Sequence, residues 1–144
     1  MCFKKGRAYR QAGFSLIELL IVMSIIALLI GFLAPRLLGM QDRGKETAVR
    51  STMHSIQLAL EAYNMENETY PVVKNLDLES LCTNYLSAGS YVPGVPKNPF
   101  TGKTYTAKDS AGKIIYSFDD ASGKYTLIGY KRDGKTKIME LSNN

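Results

Sequence analysis

A chain of 144 residues has room for one small domain and one long element, and excludes two full domains. Its apolar content of 45% is ordinary, but the apolar residues are concentrated in one run, residues 14–34, and the remainder is polar and rich in Gly, Ser, Thr and Lys. The formal charge of +5 does not argue for nucleic-acid binding, because Lys4, Lys5, Arg7 and Arg10 all precede Gly13; without those four the balance falls to about +1.

Residues 1–13 form a short basic segment, and residues 14–34 follow as FSLIELLIVMSIIALLIGFLA. As a helix at ~1.5 Å per residue this run spans roughly 30 Å, the thickness of a hydrocarbon core. The basic flank places residues 1–13 on the cytoplasmic side. A secretory signal has a shorter apolar stretch followed by a small-residue cleavage site. Here the small residue, Gly13, comes first, and the run carries one acid, Glu18, near its start. A carboxylate in a membrane costs at least ~2.5–3.5 kcal/mol and calls for a partner, which no basic residue in the run provides.

These features together carry a resemblance. KKGRAYRQAGFSLIELLIVMSIIALLIGFLAP, and more broadly residues 4–50, resembles the class III signal of type IV prepilins and type II secretion pseudopilins. The resemblance implies cleavage by a prepilin peptidase between Gly13 and Phe14, and N-methylation of Phe14. It also implies an assembly role for Glu18, paired with the terminal amine of a neighbouring subunit. Either charge alone is expensive in lipid, and the pair is less so. The implied partners are further copies of the chain in a homopolymer, membrane lipid before assembly, an inner-membrane platform protein and an assembly ATPase. The implied location is single-pass in the inner membrane, then a cell-surface pilus or a periplasmic pseudopilus.

Beyond the run, Gly31, Pro35, Gly39 and Gly44 weaken a helix and mark where it kinks or melts, and pilins carry a Pro at an offset similar to that of Pro35. Val49, Met53, Ile56, Leu60 and Tyr63 then recur at spacings of four, three, four and three, one face of a helix that lasts to about Glu66. That stripe is expected to cover a small sheet, leaving residues 14–35 as a bare apolar stalk. Tyr70-Pro71 closes the helical region. Residues 75–87 read as a short helix holding Cys82 as a small buried residue. With Cys2 in the leader, no disulfide is expected within the mature chain.

Residues 91–103 hold three prolines and two glycines and read as loop. Their Asn98-Pro99-Phe100 is similar to a loop of major pseudopilins. Strands are expected at 104–108, 113–118, 124–130 and 136–141, with turns at 109–112, 119–123 and 132–134, as an antiparallel meander. The expected fold is therefore α+β and pilin-like, a long N-terminal α-helix packed on a small antiparallel β-sheet. Its parts are a leader (1–13), a membrane or filament-core helix (14–35), an amphipathic half-helix (36–66) and a head (67–144).

No catalytic constellation is present: His54 is the one histidine, on the polar side of the helix, and no phosphate loop or His/Cys metal spacing occurs. The chain is thus read as a non-enzymatic filament subunit without cofactor or metal. Major pseudopilins that resemble it bind calcium in an acidic loop, whereas the corresponding stretch here, Tyr130 to Lys135, is basic with a single carboxylate. That departure ranks a type IV pilin first, a type II secretion pseudopilin second and a non-polymerising membrane-anchored binding module third. Lys131, Arg132, Lys135 and Lys137 could contact nucleic acid, but a solvated loop of mixed charge is the plainer reading.

Overall fold

The computed structural model describes residues 14–143, with the backbone alone for residues 34–38. Residues 1–13, with Cys2 and Gly13, and the side chain of Pro35 lie outside the described residues. The chain divides into two compact units, one ending at Gly39 and the other Met40–Asn144.

A single helix, α1, is assigned without interruption over Leu16–Asn67, so the helical backbone persists at Gly31, Pro35, Gly39 and Gly44, and the expected melting there is not seen. Its start has a local cause. Ser15 and Glu18 stand in the Ser-x-x-Glu arrangement of a capping box, and the Ser15 amide donates to Glu18 Oε2 at 3.4 Å. Its end is equally local. Glu68 adopts a left-handed conformation (φ 56°), and its amide donates to Asn64 O at 2.8 Å, which closes the last turn.

In the second unit α1 contributes Val49, Met53, Ile56, Ala59 and Leu60, all buried, to one core with residues of the sheet and of the segment 78–86. The spacing-derived stripe is therefore the core face, with Ala59 added to it and Tyr63 packed at its margin. The sheet has the order β1-β2-β3-β4, all antiparallel: β1 Leu76–Asp77, β2 Ile114–Asp119, β3 Lys124–Tyr130 and β4 Lys137–Ser142. Ile114, Tyr116 and Phe118 alternate inward on β2, as Tyr125, Leu127 and Gly129 do on β3, the period-two pattern of a sheet with one face covered. The register pairs them directly, Ile114 with Gly129, Tyr116 with Leu127 and Phe118 with Tyr125. A register shift at Gly129/Tyr130 leaves Ile138 of β4 extra, and that residue is buried.

Two expectations need correction. No strand forms over 104–108; Thr104 makes only an isolated bridge to Lys97, and the place beside β2 belongs to Leu76–Asp77. Correspondingly, residues 75–87 are not one helix. They run as β1, a short helix α2 (Leu78–Leu81) and a π-helical turn (Cys82–Leu86). The reason lies in Asp77. Its carboxylate accepts from the Ser80 amide at 2.9 Å and from the Ser80 hydroxyl at 2.8 Å, so the helix begins after it and not at Asn75.

Candidate functional site

The N-terminal unit presents the first candidate surface. Leu16–Leu33 is long and apolar enough to cross a membrane, and every residue in it is exposed. Phe14 and Leu16 are each about four-fifths exposed, at 80% and 82%. An exposed apolar surface of this extent is the mark of a membrane or protein interaction site. Its charged residue, Glu18, lies one helical turn from Phe14, and the donor the structure gives it is the Ser15 amide. Both Phe14 and Glu18 are thus on or just before the first turn of α1, as expected. The Ser15 cap was legible in the sequence as Ser-x-x-Glu before an apolar run.

The second unit presents a closed head. Its interior holds Tyr70, Tyr105, Tyr116 and Tyr125, and burial raises the phenol pKa of each, that of Tyr70 to about 12. Their hydroxyls are satisfied: Tyr70 and Tyr125 donate to the two oxygens of Glu61 at 2.8 and 3.2 Å, Tyr105 donates to Gly112 O at 2.9 Å, and Tyr116 donates to Pro71 O at 2.9 Å. Cys82 is fully buried, and burial pushes its thiol up to about 11, opposite to the shift of an activated nucleophile. His54 is exposed, so the structure does not assemble a Cys–His pair.

The proline-rich segment is ordered around Asn98, the one buried polar residue among those described. Its amide nitrogen donates to Asp109 Oδ2 at 3.0 Å and to Ala111 O at 2.8 Å, and its oxygen accepts the Phe100 amide at 2.9 Å. The basic residues after β3 are mostly paired. Lys131 meets Glu46, Arg132 meets Asp42 and Lys137 meets Glu140. Three of the four cations after β3 thus have a carboxylate beside them. Asp42 and Glu46 were not singled out by sequence reasoning, although they extend the Val49–Met53 row backward along one helical face.

Comparison with known proteins matches this arrangement in two parts. A family model described as the prokaryotic N-terminal methylation motif matches residues 9–34. A second, described as type II secretion system protein G, matches residues 36–140, most of the chain. The chain belongs to the type II secretion system protein G family. Among its relatives, the type II secretion system core protein G of Escherichia coli (strain K12) is 30% identical over 135 residues, 88% of this chain and 85% of the relative. The core protein G of Vibrio cholerae serotype O1 is 30% identical over 99 residues, 63% of this chain and 66% of the relative. That of Aeromonas hydrophila is 26% identical over 141 residues, 85% of this chain and 97% of the relative. No solved structure matches significantly.

Within the protein G family the two matched models lie on either side of Pro35. The methylation motif covers residues 9–34, which include the exposed apolar helix, and the protein G model begins at Arg36 and takes in the head. The family resemblance read from the N-terminus and the α+β fold are both found, a long helix with a four-stranded antiparallel sheet. The implied cleavage and methylation positions, Gly13 and Phe14, lie within the span matched by the methylation motif.

Proposed function

We propose that this chain is a pseudopilin of a type II secretion system, a structural subunit without enzymatic activity. It is cut after Gly13 by a prepilin peptidase, methylated at Phe14, held in the inner membrane by residues 14–35, and polymerised into a periplasmic pseudopilus by platform and ATPase components. The protein G match over residues 36–140 carries this reading and puts the pseudopilin ahead of the pilin that the basic loop had ranked first. The exposed apolar helix Leu16–Leu33 supports polymerisation, since a surface of that kind is covered either by lipid or by the same helix of neighbouring subunits. Glu18 sets the register: on cleavage, the new amine of Phe14 and the Glu18 carboxylate of an adjacent subunit neutralise each other in the filament core.

The test is to replace Glu18 by Ala in a strain that depends on this gene for export. We expect the variant to be cleaved and to remain in the inner membrane, while filament yield and export of secreted enzymes fall at least about ten-fold, since one unit of log rate or yield corresponds to about 1.4 kcal/mol and a desolvated charge is worth more than that. Undiminished export would reject the role. The surface-pilus reading is distinguished by electron microscopy of sheared filaments labelled against residues 90–144: the pseudopilus reading predicts no long labelled surface fibres at native expression.

A further inference from the structure

In the major pseudopilins that this chain resembles, calcium sits in an acidic loop after the middle strands. Here that place is the segment between β3 and β4, and its residues do not fit the ion. Calcium takes about six to eight oxygens, with several carboxylates among them. The segment offers one carboxylate, Asp133, and both of its oxygens are occupied from within. Oδ1 accepts the amides of Lys135 and Thr136, each at 2.9 Å, and Oδ2 accepts the Thr136 hydroxyl. Those bonds, led by the Thr136 hydroxyl, hold the Asp133 carboxyl down to about 2. Among the described residues no three His, Cys, Asp or Glu side chains converge in a metal-holding group.

The loop is nevertheless well defined. The Lys131 amide donates to Thr136 O at 2.8 Å, and the Gly134 amide donates to Lys131 O at 3.0 Å. Gly134 (φ 64°) lies so close to Ser110 that a Cβ would come within 2.7 Å of the Ser110 carbonyl oxygen. On its other side the loop meets α1. Lys131 Nζ is 3.4 Å from Glu46 Oε1, and Arg132 Nη1 is 3.3 Å from Asp42 Oδ2 and 3.4 Å from Oδ1. Asp42, Glu46, Val49 and Met53 are spaced four, three and four along α1, so the acids sit on the row whose next members face Gly129. The helix therefore supplies two negative charges where β3 ends, and the loop supplies two positive ones.

We propose that Asp42 and Glu46 clamp the β3–β4 loop through Arg132 and Lys131, so that this head closes its last hairpin on α1 without calcium and with a dependence on ionic strength in its place. The calcium comparison rests on the family reading; the clamp rests on the geometry alone. Both pairs are partly exposed, so each is weak singly, and screening reaches them.

The experiment uses the full chain in non-ionic detergent, with hydrogen exchange read at the amides of Lys131, Gly134, Lys135 and Thr136, together with thermal unfolding. Calcium at about 1 mM against a chelator is expected to leave Tm and exchange unchanged, because among the described residues no three carboxylate, His or Cys side chains converge. Raising sodium chloride to about 1 M, where the Debye length is about 3 Å, is expected to speed exchange in the loop about two- to five-fold. Arg132→Gln should speed exchange at low salt and reduce the salt response to the part carried by Lys131 and Glu46, and the swap Asp42→Arg with Arg132→Asp should restore protection. A saturable calcium-dependent rise in Tm overturns the proposal, and so does loop exchange that responds neither to salt nor to Arg132→Gln. All readouts are on the purified chain, so export that proves independent of this gene would reject the secretion reading and leave the clamp standing.

Discussion

At Gly129 the sheet passes close to the helix. A Cβ placed there would lie 2.4 Å from Met53 Sδ and 3.3 Å from Val49 Cγ1, both in the fully buried stripe of α1. Glycine is needed here for lack of volume and not for its dihedral freedom, because nothing in its backbone is left-handed. Gly129→Ala should therefore destabilise the head by about 1–3 kcal/mol, the cost of overpacking a filled core, as read by urea unfolding in detergent. The thioether of Met53 can yield part of the space, which favours the lower end of that range. The same narrow gap brings the end of β3 down onto the row that begins with Asp42 and Glu46, so a residue chosen for packing also sets where the charged loop lands.

Between elements, the segment from Lys97 to Ala111 shows how polar contacts replace a strand. Tyr105 is buried and donates to Gly112 O, while Asp109 accepts from the Thr106 amide and hydroxyl and from Asn98. The Ala107 amide donates to Glu79 of α2 at 2.9 Å, which ties the loop to the turn after β1. Two of these bonds engage the Thr106 and Ala107 amides, backbone donors that a strand at 104–108 would have offered to a ladder. Asn98→Ala strips three bonds from the centre of this arrangement and leaves the Ala111 carbonyl and the Phe100 amide without their partner. A loss of about 1–3 kcal/mol is expected in equilibrium unfolding. Asn98→Asp should be worse, because it sets a second carboxylate against Asp109.

At the scale of the whole molecule, the two units ask for different solvents. The first exposes an apolar helix, and the second has its own core drawn entirely from residues 49–138. A fragment beginning at Met40 retains the clamp acids and the whole stripe, and it is expected to be monodisperse in water by size-exclusion chromatography, with the circular dichroism of an α+β fold. The full chain is expected to require detergent under the same conditions. Aggregation of the fragment would mean that the head depends on residues before Met40 for its stability. Separation of this kind suits a subunit that leaves a membrane and enters a filament, because the head can stay folded while the solvent of the apolar helix changes from lipid to protein.

Most features carried by neighbouring residues were legible along the chain, the exception being the Asp77 cap that divides residues 75–87. The apolar run and Glu18 follow from composition. The stripe Val49–Met53–Ile56–Leu60 follows from helical spacing. The strand Lys124–Tyr130 was read at its observed bounds, and strands β2 and β4 to within a residue at either end, because period-two alternation and the turns at Gly123 and Gly134 are local signals. Which segment lies beside β2 depends on packing between distant parts of the chain. Leu76–Asp77 is two residues long, too short to carry a periodic pattern, and it wins that edge through pairing with Ile115 and Tyr116. The partners of Lys131 and Arg132 were also hidden, because they stand some 85–90 residues earlier in the chain (residues 46 and 42) and are chosen by how the sheet lies on the helix. Charge pairing across such a separation leaves no periodic trace, since it is set by the approach of Gly129 to Val49 and Met53 and not by any spacing within the loop.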